Sequence, residues 1–302
     1  MPYPSPITYP GPVLYPGTAQ GTSGRIVSLG DLVLGAVDGQ GVRWSLNNLD
    51  GWDDSPDSTL ELVQRARGHG STGNEPFMKS RYLTAEGHIH ASSLESLEAA
   101  MVRMRAAVTL KPFQLLVAER TGVKNCMVQR QGAVLIKPLT DTQAHYSALI
   151  VAKDPLKYGD LVSDSTVLPY SRGGLERPST WPRTWTGVSG TGEVTVHNPG
   201  DAQAPVWLRI DGPIPAGGWT VTHVGKRQSL TFASALALGS GEFVTVDMEK
   251  REVLAQGQAP RAGYVTSRGW FSLDPGENRI AFSATNYSET ALLTVATKPA
   301  WS

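Results

Sequence analysis

The clearest alternation of apolar and polar positions in the chain begins at Arg81 and predicts a β-strand with one buried face. The residues predicted to face inward are Leu83, Ala85, Gly87, Ile89 and Ala91. The spacing then changes to three and four, which predicts an amphipathic α-helix. The apolar stripe of this helix consists of Leu94, Leu97, Met101, Met104 and Val108.

The ends of the helix are predicted from its flanking residues. Ser92 is suited to accept a hydrogen bond from a free amide of the first turn, and Glu95 three residues later completes a capping box. Pro112 is expected to end the helix, because the residue before proline avoids helical angles. Alternation resumes at Phe113 as a second strand. This unit of strand, helix and strand is the predicted core of a first domain.

Elsewhere the pattern predicts short strands joined by glycine-containing turns. Residues 25–44 contain apolar runs broken by glycines, residues 59–67 are ambiguous between strand and helix, and short alternating runs fill the chain from Gly192 onwards. The predicted segments are an N-terminal Pro/Tyr-rich arm (1–24), a first domain (25–159), a linker (160–190) and a second β-sandwich domain (191–302). The arm is open to two interpretations, a disordered tail or an extension that orders against a neighbouring subunit.

The composition favours a mainly β protein without a general affinity for polyanions. Lysine plus arginine (27) equals aspartate plus glutamate (27), whereas binders of nucleic acid or membrane surfaces carry a basic excess. Glycine (32) and proline (21) are abundant, and helical periodicity is confined to one segment. No run approaches the length of a membrane span, and the N-terminus lacks the pattern of a secretory signal. We therefore expect synthesis in the cytoplasm and no stable membrane insertion.

The motifs give no catalytic, cofactor or metal site. His88 and His90 share a strand face, but no third ligand is evident nearby, and His69 and His145 have no partner by spacing. The acidic loop 47–58, with Asp50, Asp53, Asp54 and Asp57, does not match a calcium-binding loop, and we expect a solvated turn. Cys126, the single cysteine, is expected to be packed and unreactive.

Enzymatic motifs are also missing. The run GVSGTG (187–192) is not a nucleophile elbow, and neither a Walker loop nor a dinucleotide fingerprint occurs. A glycosidase would need two facing carboxylates, which sequence spacing alone does not identify. The carboxylates available for such a pair are Glu193, Glu242, Asp247 and Glu249. We predict that the chain is not an enzyme.

An ordered set of segments resembles the siphophage distal tail proteins, the hubs at the end of long non-contractile tails. The segments are RYLTAEG (81–87), KPFQLLVAE (111–119), DPLKYG (154–159), HNPGDAQAPVWLRIDGP (197–213), GEFVTVDMEKREVLAQG (241–257) and GWFSLDPGENRIAF (269–282). No single segment is specific, but their order and spacing agree from about Asp31 to Val295. The arm 1–24 is not a usual part of the pattern.

The resemblance implies an N-terminal tail-tube-like β-sandwich with one flanking helix, and a C-terminal galectin-like or jelly-roll β-sandwich. It further implies a hexameric ring located in the virion at the distal end of the tail. Implied partners are the major tail tube protein, the tape measure protein and tail-tip, fibre or receptor-binding proteins. The alternative is a tail adhesin whose second domain binds host carbohydrate. In that domain Trp207, Trp219 and Trp270 are available for a sugar, although their strands favour packing in the core.

Overall fold

The computed structural model describes residues 25–172 and 188–302. The arm 1–24 and residues 173–187, with Trp181 and Trp185, lie outside the described residues, so the expectations for them stay predictions. The chain divides into two compact units, with the boundary between Gly159 and Asp160. The fold is mainly β, as predicted, and α1 is the one α-helix within the described ranges.

The first unit contains thirteen strands and the helix. They are β1 (Ile26–Leu29), β2 (Leu32–Leu34), β3 (Ala36–Val37), β4 (Arg43–Asp50), β5 (Ser58–Thr59), β6 (Leu62–Gln64), β7 (Ser71–Gly73), β8 (Phe77–Met78), β9 (Arg81–His90), α1 (Leu94–Ala107), β10 (Phe113–Glu119), β11 (Gly122–Thr140), β12 (Gln143–Ala152) and β13 (Lys157–Tyr158).

The main sheet of the first unit curls until its two ends meet. Its order is β2-β1-β10-β11-β12-β9-β4-β3, yet the terminal strands β2 and β3 are separated in sequence by Gly35 alone. The amide of Gly35 donates to the carbonyl of Trp44 at 2.6 Å. Gly35 has φ +88°, and a Cβ there would lie 2.6 Å from the carbonyl oxygen of Arg25. The halves of the curled sheet enclose one apolar core that includes Trp44, Trp52 and Leu115.

The alternation predicted for β9 is confirmed, and the buried face includes one close contact that spans three strands. Tyr146 on β12 extends across Gly87 on β9, and its hydroxyl donates to the carbonyl of Ser45 on β4 at 2.8 Å. A Cβ on Gly87 would come within 2.5 Å of the Tyr146 hydroxyl oxygen. Glycine is therefore required at position 87, because the phenol ring occupies the space of a side chain.

The predicted start of the helix is wrong by one residue. Ser93, not Ser92, is the N-cap, and its hydroxyl oxygen accepts from the amide of Ser96 at 3.2 Å. Glu95 consequently does not occupy the third position that a capping box requires. The reason lies in the sheet: the amide of Ala91 still donates to Thr142, so Ser92 serves as the link to the helix.

The far end of the helix also differs from the prediction. The helix ends at Ala107, well before Pro112, because Val108 leaves the helical angles (φ −93°, ψ 85°) and enters the core. Leu97, Ala100 and Met104 form the buried stripe. Leu94 was predicted to belong to this stripe, but it is 52% exposed.

Two buried cations hold the loops at one end of the first unit. Arg81 is 2% exposed, and its guanidinium donates to the carbonyls of Gly51, Asp54 and Pro155 at 2.6–2.8 Å. Lys157 donates to the carbonyl of Trp52 at 3.0 Å. Arg81 belongs to RYLTAEG, and Pro155 and Lys157 belong to DPLKYG, so two segments that carry the sequence resemblance meet here.

The second unit contains strands β14 to β27 and a short 3-10 helix (Ala262–Tyr264). The strands are β14 (Val162–Val167), β15 (Tyr170–Arg172), β16 (Val188–Gly190), β17 (Glu193–Asn198), β18 (Val206–Asp211), β19 (Trp219–His223), β20 (Gln228–Phe232), β21 (Phe243–Asp247), β22 (Glu252–Ala255), β23 (Ala259–Pro260), β24 (Val265–Arg268), β25 (Gly276–Ala284), β26 (Leu292–Thr297) and β27 (Ala300–Trp301).

Most strands of the second unit form two antiparallel sheets with alternating burial. One has the order β14-β26-β18-β21-β22-β23 and the other β17-β25-β19-β20-β24. Strand β14 lies within the stretch predicted as a linker (160–190), but it pairs with β26 along its whole length, Val162 opposite Thr297 to Val167 opposite Leu292. These residues are therefore an edge strand. The sequence did not indicate this, since β14 is mostly exposed and has no apolar alternation.

The turn that follows β17 is held by one buried amide. The side-chain nitrogen of Asn198 donates to the carbonyl of Ala202 at 2.8 Å, and its oxygen accepts from the amides of Gly200 at 3.1 Å and Ala300 at 3.4 Å. Asn198 is fully buried. The turn at 198–201 thus contacts residues distant in sequence as well as its own backbone.

His223 at the end of β19 is buried in its neutral form. Its Nδ1 accepts from the amide of Lys226 at 3.2 Å, and its Nε2 lies 3.1 Å from the side-chain oxygen of Asn278. That oxygen also accepts from the amide of Asp274, so it faces the ring as an acceptor and Nε2 carries the proton. Burial lowers the pKa of His223, and the hydrogen bond to Asn278 opposes this only in part.

We expect acid to destabilise the second unit through His223. A folded-state pKa below the unfolded value means that the unfolded chain binds more protons, so stability is complete above about pH 6.5 and falls below it. The measurement is hydrogen exchange of β19 and β25 at pH 7.5 and 5.5. His223→Gln should reduce the difference between the two pH values, whereas the exposed His197→Gln should leave it unchanged. An equal pH effect in both variants would contradict the assignment.

Candidate interaction surfaces

A projecting hairpin between β4 and β9 exposes an unusual amount of apolar surface. In this apolar hairpin (residues 57–79) β5 pairs with β8 and β6 pairs with β7, and all four strands are exposed. Five large apolar side chains are 48–70% exposed: Leu60, Leu62, Val63, Phe77 and Met78. An isolated two-stranded hairpin is marginal in water, and clustered exposed apolar groups are typical of an interface. The ambiguous segment 59–67 therefore contributes a strand to this hairpin.

The second feature is an edge strand without a partner on one side. Strand β10 pairs with β11 only from Gly122 to Val128, while β12 follows β11 as far as Thr140. Within residues 25–172 and 188–302, no strand pairs with the other side of Val134–Thr140, which we call the free edge of β11. Leu135 and Leu139 on it are 64% and 50% exposed. An open edge with exposed leucines offers backbone groups and apolar surface to another strand.

The third feature is a cluster of three histidines on the open face of the main sheet. His88 and His145 are register partners on β9 and β12, with ring centroids 5.2 Å apart, and His90 lies 6.1 Å from His88. The third histidine, His145, is one that sequence spacing does not place beside His88 and His90. The strand pairing that brings His145 to them joins residues far apart in sequence. We call these residues the histidine face.

The surroundings of the histidine face differ from ring to ring. Burial, the neighbouring His88 and Arg43 together lower the pKa of His90. The side-chain nitrogen of Asn47 lies 3.2 Å from Nδ1 of His88, where an unprotonated ring nitrogen accepts. With the rings as they stand, no group of three or more His, Cys, Asp or Glu in the described part of the chain is placed to hold a metal ion.

The acidic loop distributes its carboxylates among separate partners. Asp53 forms a bidentate ion pair with Arg25, with nitrogen–oxygen distances of 2.6 and 2.8 Å. Asp57 pairs with Lys79 at 2.7 Å at the base of the apolar hairpin. Asp50 lies at the end of β4 and accepts from the side chain of Asn48. The loop thus connects elements of the first unit.

Cys126 is buried in β11, as predicted, with 2% of its surface exposed. Burial raises the pKa of its thiol to about 12. We expect a thiol reagent to leave the native chain unmodified at pH 8, because both access and thiolate are lacking. Stoichiometric labelling should appear once urea unfolds the chain, which provides the control. Rapid labelling of the native chain would contradict the expectation.

The four carboxylates considered for a glycosidase lie on different elements. Glu193 begins β17 and Asp247 ends β21, in different sheets, and Asp247 accepts from the indole nitrogen of Trp207 at 3.1 Å. Glu242 accepts from the amide of Gly239 at 2.7 Å, and Glu249 is exposed. In the described ranges, no hydrogen bond or ion pair joins the side chains of any two of them.

The three tryptophans considered for a sugar site, Trp207, Trp219 and Trp270, do not share one environment. Trp219 is buried and stacks on Phe232 with ring centroids 3.7 Å apart, as predicted for a core residue. Trp207 and Trp270 are only half-buried, so the prediction that they pack in the core is wrong. Trp207 alternates with the buried Val206 and Leu208 along β18, which places it on the outer face of its sheet.

Comparison with known proteins found a matching family model for the C-terminal part of the chain. Residues 199–301 match the family model described as siphovirus-type tail component, C-terminal domain. The resemblance to siphophage distal tail proteins is confirmed. No curated protein matches the chain.

One solved phage structure shares the fold of this chain, and a second is similar to it. The first is the Dit (gp 19.1) protein of SPP1, described as a paradigm of the hub adsorption apparatus in phages that infect Gram-positive bacteria. It is 11% identical, with a TM-score of 0.61 over 84% of this chain and 92% of that chain. The phage P2 baseplate in its activated conformation with calcium is 11% identical over 90% of this chain and 97% of that chain, with a TM-score of 0.46.

Among the described residues, no helix is both long and apolar enough to cross a membrane.

Proposed function

We propose that the chain is a structural hub protein at the distal end of a long non-contractile phage tail. The observation that carries the proposal is the family match over residues 199–301, in a chain that shares the fold of a hub protein over 84% of its length. In this proposal the protein is made in the host cytoplasm and is a minor component of the virion. It joins the tail tube to the tip and takes part in host attachment without acting as an enzyme.

Assembly into a ring, proposed to be a hexamer, has support in the surfaces of the first unit. The free edge of β11 offers unpaired backbone groups, and a closed ring supplies every edge with the same partner. The apolar hairpin adds exposed side chains that a neighbouring subunit would cover. The terminal strands β2 and β3 are three and two residues long, so the free edge of β11 is the better candidate for pairing. The arm 1–24 is proposed to cross to a neighbour.

Each of the two units is proposed to bind its own set of partners. We propose that the first unit stacks on the major tail tube protein and surrounds the end of the tape measure protein. The second unit, whose sandwich we propose to be galectin-like, would carry tail-tip, fibre or receptor-binding proteins. No sequence-specific contact with nucleic acid is proposed, since the chain has a formal net charge of zero.

The experiment is mass photometry and electron microscopy of the purified full chain at micromolar concentration. We expect hexamers seen as rings with a central hole. The double variant Leu135→Lys and Leu139→Lys should give folded monomers, because charges on the edge oppose strand pairing. Val102→Lys is the matched control, since Val102 is 56% exposed but lies on α1 and not on β11. A monomeric wild-type chain would contradict the hub, and an intact ring in the double variant would contradict the edge assignment.

The alternative, a tail adhesin, is favoured by the outer face of the second unit. Trp207 is half-buried there, beside Arg209, which lies 3.9 Å from the ring centre of Phe243. Aromatic rings next to polar groups are typical of sugar-binding surfaces. A glycan array with the full chain and Trp207→Ala tests this function: binding that the variant loses would favour the adhesin, and a blank array would contradict it.

A further inference from the structure

The histidine face concentrates titratable groups on two neighbouring strands of the main sheet. His88 and His145 lie opposite each other, and His90 follows on the same strand face. All three rings are half-buried, so water only partly screens a charge placed on one ring from the next. Nothing in the proposed hub function requires three imidazoles at this place.

The surroundings of the histidine face are mainly cationic or neutral. The register partners and neighbours on β4, β9, β11 and β12 are Arg43, Ser45, Asn47, Glu86, Lys137, Gln143 and Ser147. Arg43 lies opposite His90, and Lys137 lies opposite His145. Glu86 is the one carboxylate in this set, and it already accepts from the hydroxyl of Ser147 at 2.9 Å. A proton added to His90 would therefore face Arg43, and a proton added to His145 would face Lys137.

One hydrogen bond on the histidine face also depends on a ring nitrogen that acts as an acceptor. Nδ1 of His88 faces the side-chain nitrogen of Asn47 at 3.2 Å, a contact in which the ring nitrogen accepts. A proton on Nδ1 would place two donors against each other, so the present side-chain link between β4 and β9 would be lost unless the Asn47 amide turned its oxygen to the ring.

We propose that the histidine face is a pH-sensitive element of the first unit, which holds β4, β9 and β12 together while its rings are neutral and loosens these strands when the rings take up protons. Because His90 has a lowered pKa, the unfolded chain binds more protons in acid. The local stability is therefore complete above about pH 6.5 and falls below it. Strand β11 pairs with β12 and carries the free edge. Loosening of β12 would therefore also affect the free edge of β11.

The test is hydrogen exchange of the full chain, read as protection factors at pH 7.5 and 5.5 with EDTA present. We expect protection of 84–90 and 143–148 to fall several-fold at pH 5.5. The triple variant His88→Gln, His90→Gln and His145→Gln should lose this pH dependence while keeping the protection of β10. His197→Gln, on the exposed face of β17, is the control and should behave like wild type.

The local readout separates this effect from that of His223, which acts in the second unit. Protection at 84–90 that does not change with pH in the wild-type chain would overturn the proposal. So would an unchanged pH response in the triple variant. If the triple variant proves unfolded, the single variant His145→Gln, which leaves the contact between Asn47 and His88 in place, should show a smaller pH response than wild type. An equal response would also overturn the proposal.

Discussion

Replacing Arg81 with methionine should cost the first unit about 3–5 kcal/mol of unfolding free energy, a large part of the stability of an ordinary domain. Methionine fills most of the space but leaves the carbonyls of Gly51, Asp54 and Pro155 without their buried donor. Arg81→Lys should be almost as damaging, because one ammonium group does not reproduce the planar fork that reaches carbonyls in different directions.

The measurement is chemical denaturation of the full chain, with hydrogen exchange of β9 and β12 to assign the loss to the first unit. Arg105→Met is the matched control, since Arg105 lies exposed in the last turn of α1 and should change stability by less than about 1 kcal/mol. If Arg81→Met behaves like the control, the buried guanidinium does not hold the loops as we infer.

The second large effect is expected from Asn198→Asp, which keeps the size of the side chain and removes its donor. A carboxylate oxygen would face the carbonyl of Ala202 at the position where the amide nitrogen now donates at 2.8 Å. The site is fully buried, so the charge would be neither hydrated nor paired. We expect the second unit to lose about 2–4 kcal/mol.

Hydrogen exchange of β17 and β18 during urea titration measures this loss. Asn74→Asp makes the same chemical change at an exposed position of the apolar hairpin and is expected to have little effect. The first unit should keep its protection in both variants. A loss confined to the first unit, or equal losses for the two variants, would show that Asn198 does not hold the turn.

The parts of the fold that depend on neighbouring residues were predictable from the sequence. The faces of β9 and the presence of the helix follow from spacing, since burial on one side imposes a period on the chain. The N-cap was missed by one residue, because the contact of Ala91 with Thr142 extends the strand pairing and depends on a distant part of the chain.

The candidate surfaces were harder to predict, because they depend on which strands become neighbours. His88 and His145 meet through the pairing of β9 with β12, and neither residue carries a local signal of the other. The free edge of β11 exists because β10 ends its pairing at Val128, which no pattern within β11 indicates. The segments RYLTAEG and DPLKYG were recognised by resemblance, and the bond from Arg81 to Pro155 gives a physical reason for their joint occurrence.

The phenol ring of Tyr146 above Gly87 also fixes the pairing register of three strands, β4, β9 and β12. A slip of β9 by one residue would bring Glu86 or His88 beneath the ring, and each has a side chain where there is room for none. The hydroxyl bond to Ser45 extends the same constraint to β4. Alignment on the open face therefore follows from a contact on the buried face: while Tyr146 covers Gly87, His145 has His88 as its neighbour.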